Sequence, residues 1–176
     1  MKTQTKLTSI LCFVLAVTVH SKIFSQQAPP RAIGVFMFGF AKSVQWPDDR
    51  SQGDFVIGVV DHPELARELN QIAATRTLGA RQIKVLEVSS AGTIPYTQML
   101  FVSKPAYASL ATLLSQHKGD PVLVLSQGVQ DNREPLGINF LDFEGKLRFE
   151  LNTSGVEARG IKVPGNLRSL GTEVSY

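Results

Sequence analysis

Phe55-Val56-Ile57-Gly58-Val59-Val60, running straight into Asp61-His62-Pro63-Glu64, is the stretch on which the fold turns. An unbroken apolar run of strand length is what a strand buried on both faces of a sheet requires. The residues after it open a helix. Pro63 presets a helical φ where no N–H is needed, and Glu64 puts a carboxylate near the positive end of the helix dipole. Leu65, Leu69, Ile72 and Ala73 then recur at helical spacing. A buried strand followed at once by an amphipathic helix is the first half of a βαβ unit, and such units build parallel sheets.

The alternation continues towards the C-terminus. Ile83 to Val88 alternates apolar and polar, as a half-exposed strand does, and Met99 to Val102 is short and wholly apolar. Ala106 to Gln116 reads as a second amphipathic helix, with Tyr107, Leu110, Leu113 and Leu114 inward, and Val122 to Leu125 as a third buried strand. Gly137 to Phe143 and Lys146 to Leu151 are joined by Glu144-Gly145, a hairpin signal. Asn152-Thr153-Ser154 can cap a short helix reaching Arg159, which Gly160 ends, and Pro164 to Leu170 can hold one more turn. Upstream, Ile33, Phe36, Met37, Phe40, Ala41 and Val44 predict a helix over Arg31 to Trp46, begun by Pro29-Pro30 and stopped by Pro47. The expected fold is α/β: a three-layer α/β/α sandwich with a mainly parallel, mixed central sheet, in one domain over residues 30–176.

The start of the chain reads differently. Lys2 and Lys6 precede the apolar run Leu7 to Val19, about thirteen residues against the ~20 needed to span a bilayer. Residues 1–25 are therefore expected to be a cleaved signal peptide, with Ser25 the small residue near the cut, and the protein to work outside the cytoplasm without spanning a membrane. Cys12, the only cysteine, lies inside that run and would leave with it, so no disulfide, thiol nucleophile or cysteine metal site would remain. Lys2, Lys6 and Lys22 leave too, which brings 18 basic residues down to equal the 15 acidic ones. A neutral chain exerts no long-range pull on nucleic acid, and no nucleic-acid partner is expected.

Catalytic patterns are scarce. His62 and His117 are the only histidines beyond the leader, in separate segments and with no Asp/Glu/His cluster at ligand spacing, so no metal or cofactor is expected. Leu125-Ser126-Gln127-Gly128 is only superficially like a nucleophile elbow, because no glycine stands two before the serine. Asp142 and Glu144 flank a hairpin tip, where solvated acids ordinarily sit. An enzyme is not expected. Binding is better served. The loops after Val60, Val102 and Leu125, with Asp61 and His62 in the first and Ser126 and Gln127 in the last, lie where α/β sheets receive ligands; a small-solute binding module is thus an alternative reading. Phe36, Phe38, Phe40 and Trp46 crowd the predicted first helix, with Val35 and Met37 between them. A helix apolar nearly all round is either deeply buried or docks its second face on another chain, as in a homodimer.

Several segments, in order, resemble the YfiR-like (YfiR/HmsC-like) family of periplasmic regulators. Phe40-Ala41-Lys42-Ser43-Val44-Gln45-Trp46-Pro47 is similar to the family's F-x-K-x-V-x-W-P helix end, and Phe55 to Asp61 to its F-x-I-x-V-x-G/D strand. Leu123-Val124-Leu125-Ser126 resembles its L-T-V-S-D strand end, Gly145 to Asn152 its G-K-L-R-F-E-I-N signature, and Leu167 to Leu170 its closing helix. The resemblance implies a three-layer domain in the periplasm, commonly dimeric, that restrains a membrane-bound signalling protein, typically a diguanylate cyclase, and so links the envelope to cyclic-di-GMP and biofilm formation. Partner or dimer contacts would then fall on Phe36, Phe38, Phe40, Trp46, Pro47 and Arg148, the last free to grip a carboxylate bidentately. Family members often carry cysteine in the strand matching Gln98 to Val102; none stands here, so disulfide-based redox control is not open to this chain.

Overall fold

The computed structural model describes residues 28–176; the leader assigned to residues 1–25 lies outside them. Its elements are α1 (Pro30–Ser43), β1 (Phe55–Val60), α2 (Pro63–Ala73), β2 (Ile83–Val88), β3 (Met99–Val102), α3 (Leu110–Ser115), β4 (Leu123–Gln127), β5 (Ile138–Phe143), β6 (Lys146–Leu151), α4 (Thr153–Glu157), α5 (Gly165–Arg168) and β7 (Thr172–Glu173). Seven strands form one sheet in the order β2-β1-β3-β4-β5-β6-β7. Every neighbouring pair is parallel except β5–β6, the hairpin. Glu144 and Gly145 at its tip both take positive φ, 52° and 73°, the pair of values a type I′ turn needs.

Side-chain alternation sorts the core into two layers. Phe55, Ile57 and Val59 of β1, Phe101 of β3, Leu125 of β4 and Phe140 of β5 face α1, α2, α4 and α5. Val60, Leu100, Val102 and Val124 face the other way, onto Leu110 and Leu113 of α3. Helices on both faces make the α/β sandwich that the apolar strands called for. The first layer is knotted by four phenylalanines: Phe40 lies 5.0 Å from Phe149 and 6.0 Å from Phe140 between ring centroids, and Phe36 packs edge-on against both.

Three boundaries differ from expectation. α1 stops at Ser43, not Trp46. Val44 turns extended, and Gln45 exchanges two backbone hydrogen bonds with Lys162 (3.1 and 2.9 Å). That bridge to the far end of the chain outweighs two more residues of helix, and the residue before Pro47 favours extended backbone anyway. The segment expected to be one helix from Ala106 begins as a 3₁₀ turn, Tyr107–Ser109, and becomes α-helical only at Leu110. β7 carries no periodic signal because it is two residues long; it adds to the sheet edge through its register with Glu150 and Leu151 of β6.

Candidate functional site

The chain reverses its direction of sheet growth at β1: β2 lies on one side of it and β3 on the other. Strand order that switches this way parts the connecting loops at the carboxyl ends of the strands and leaves a crevice there. In this protein the crevice is a cleft of about 280 Å³ between the start of α2 and the loop after β3, walled by Asp61, His62, Pro63, Glu64, Phe101, Ser103, Lys104, Pro105 and Gln127. Local chemistry shapes it. Asp61 takes a left-handed φ of 48° and its carboxylate accepts from the Ser90 N–H at 3.3 Å, which turns it towards the loop after β2. His62 caps α2: its Nδ1 accepts from the Leu65 N–H at 3.2 Å, so the neutral ring keeps its proton on Nε2. The ring also stands edge-on to Phe101, 5.6 Å between centroids.

Of the four pocket residues expected from sequence, Asp61, His62 and Gln127 line this crevice. Ser126 does not. It is fully buried, pointing to the opposite layer, and its Oγ donates to the Val102 carbonyl at 2.7 Å, tying β4 to β3. In its place stand Ser103 and Lys104 of the loop after Val102, a loop expected at the pocket although neither residue was singled out within it. Ser103 is 5% exposed, and its Oγ has no hydrogen-bond partner among the described residues. A buried hydroxyl left unpaired costs about 1–3 kcal/mol. Gln127, 8% exposed, makes no side-chain hydrogen bond among the described residues either.

The candidate partner contacts divide by burial. Phe40 and Trp46 are spent on the core, Trp46 standing edge-on to Phe55 at 5.0 Å. Trp46 is therefore no part of α1, as expected from sequence, but a plug beneath it. Its Nε1 is buried without an acceptor among the described residues, beside a cleft of about 480 Å³ that also takes in Lys42, Asp48 and Arg81. Pro47 is half-buried beside Gly160. Phe36 is half-buried in the phenylalanine knot. Phe38 is half-buried on the other side of α1, flanked by Lys42 and Arg76 at 5.8 and 5.2 Å from its ring centroid. With Val35, 58% exposed, it lines a groove against α2 closed by Glu68, Gln71, Ile72 and Arg76. Arg148 is exposed on β6, opposite Leu141.

One polar cluster went unread in the sequence. The Glu150 carboxylate, on β6, accepts from Arg133 Nη1 (3.0 and 2.9 Å), Asn139 Nδ2 (2.9 Å) and the Tyr176 hydroxyl (2.9 Å). Burial alone would raise its pKa; the hydrogen bonds from Asn139 and Tyr176 and the charge of Arg133 hold it below the usual carboxylate range. Arg133 also stacks 4.5 Å from the Tyr176 ring centroid. Such a knot fastens loop to sheet, with three of its donors converging on Oε2 and Arg133 alone on Oε1.

Among the described residues, no group of three His, Cys, Asp or Glu could hold a metal ion, and no helix is long and apolar enough to cross a membrane. His117, the other histidine among the described residues, is held by Asp120 at 3.1 Å and the Ile94 carbonyl at 2.7 Å. What remains is an open, mainly parallel α/β sandwich with a small polar crevice at its switch point and an exposed apolar stripe on its first helix. The chain belongs to the YfiR/HmsC-like family, whose model matches residues 33–172, and that family is one of periplasmic regulators, not of catalysts. No curated protein matches the chain.

Proposed function

We propose that this protein is a periplasmic regulator that holds a membrane-bound signalling protein, a diguanylate cyclase or a comparable receptor, in an inactive arrangement, and thereby lowers cyclic-di-GMP and biofilm formation. The observation that carries the reading is the family match across residues 33–172. The α1 surface supports it. Arg31, Val35, Phe38 and Lys42 recur at helical spacing off the core stripe of Ile33, Met37, Phe40 and Ala41. Phe38 and Arg31 are of the residue types enriched at interfaces. Export through the leader at residues 1–25 would bring this surface to the periplasmic side of the receptor. Restraint then needs only that the bound receptor be the inactive one, since a ligand shifts an equilibrium by its differential affinity for the two states. A homodimer would use part of the same apolar supply, and sedimentation of the purified protein reads that directly.

Deleting the gene should raise cyclic-di-GMP and biofilm, and wild-type protein should restore both. A Val35→Asp, Phe38→Asp variant that melts like the wild type should fail to restore them. Unchanged cyclic-di-GMP after deletion would remove the regulatory reading altogether.

A further inference from the structure

The crevice at the ends of β1, β3 and β4 has features that partner docking on α1 does not use. Gln127 lines it with little of the residue exposed, and its amide has no hydrogen-bond partner among the described residues; behind the wall the Ser103 Oγ is buried and unpaired among them. Lys104 joins no ion pair among the described residues, and its ammonium leans over the turn after β4, about 4.0 Å from where a Cβ on Gly128 would stand. Folded proteins rarely leave buried polar groups without partners unless something else supplies them. The floor is Phe101, and Pro63 and Pro105 stand in the walls, so the polar groups share a small apolar bowl. α2, of 11 residues, begins at the rim with His62, whose Nδ1 is used by the cap and whose Nε2–H is not.

We infer that this crevice binds a small molecule carrying one oxyanion head, a carboxylate or a phosphate, on a short apolar body. Amide N–H, ammonium and imidazole N–H are the donor set such a head takes, and a charged acceptor makes each bond stronger than a neutral one. The helix start adds a favourable potential. Of the two acids in the wall, Asp61 is occupied by the Ser90 N–H, and Glu64 is exposed to solvent, where its repulsion is screened. The cleft of about 280 Å³ is open to solvent on one side, so it seats the head and the atoms next to it.

The test is an amide NMR titration of the purified protein with sodium butyrate and, separately, inorganic phosphate, with sodium chloride as the ionic-strength reference. Saturable shifts are expected at Ser103, Lys104, Gln127 and Leu65. Saturation by butyrate identifies a carboxylate ligand, by phosphate a phosphorylated one, and by both a site that reads the oxyanion alone; each outcome upholds the proposal. Lys104→Ala should weaken binding by about tenfold, whereas Lys118→Ala, exposed beyond α3, should not. Gln127→Ala should weaken it while the melting temperature stays level, because its amide holds no other partner among the described residues. Shifts no different from those of chloride, or affinity untouched in both the Lys104 and Gln127 variants, would overturn the site. The partner-binding reading, scored by cyclic-di-GMP, is independent of either result.

Discussion

At position 62 one imidazole closes the first turn of α2 with one nitrogen and leaves the other beside the crevice. Its place after a buried strand was visible in Val60-Asp61-His62-Pro63; its use as a cap was not, because histidine is not among the habitual capping residues. His62→Ala should cost about 1 kcal/mol in urea unfolding and His62→Asn should recover most of it; equal midpoints for all three proteins would show that the cap contributes nothing. Gly137 makes a different point. A Cβ there would sit 2.7 Å from both Leu123 Cδ1 and Val156 Cγ2, inside the first layer between sheet and α4. Gly137→Ala is expected to destabilise by about 1–3 kcal/mol through overpacking, read as a lower urea midpoint at unchanged slope. Ser126 looked in the sequence like a residue at a strand mouth, and the period of two that points Leu125 to one layer points Ser126 to the other.

Among the elements, α1 was legible in its core stripe and illegible in its end. Ile33, Met37, Phe40 and Ala41 are buried where the 3.6-residue period puts them. The helix ends early because Gln45 pairs with Lys162, more than a hundred residues away, and no local pattern encodes that bridge. The phenylalanine knot joins α1 to β5 and β6 in the same non-local way. Phe140→Ala should remove about 3–5 kcal/mol of stability. Phe143→Ala, three residues on at the hairpin and 61% exposed, should change it by no more than about 0.5 kcal/mol. Comparable losses in the two variants would mean that the hairpin tip is not the solvated end it is drawn as here. The hairpin itself was readable, since Glu144-Gly145 is a local signal for φ > 0 at two successive residues.

For the whole molecule, stability against pH follows from where the Glu150 knot lies. Burial disfavours its charge, but the donors from Asn139, Tyr176 and Arg133 win and depress the folded-state pKa. A depressed carboxyl contributes stability above its unfolded value, near 4.5, and loses it as pH falls through the folded value. Urea midpoints should therefore drop below about pH 4.5 more steeply in the wild type than in Glu150→Gln. At the alkaline end the sign reverses. Burial first, then the neighbouring acids, push the Tyr107 and Tyr176 hydroxyls up to about 12 from 10, so their contribution holds below pH 10 and fades as pH rises towards 12. A shallower fall in Tyr107→Phe, Tyr176→Phe protein than in the wild type across that range checks it. By itself the amino-acid sequence determined the strands, the helices that separate them and hence a mainly parallel sandwich, because strand length, apolar period and turn chemistry are properties of neighbouring residues. Only the tertiary structure decided that Ser126 turns away from the crevice, that α1 stops at Ser43 where Gln45 bridges to Lys162, and that Arg133, Asn139 and Tyr176 converge on Glu150. Burial and hydrogen-bond partners are settled through space, between segments that the order of the chain leaves far apart.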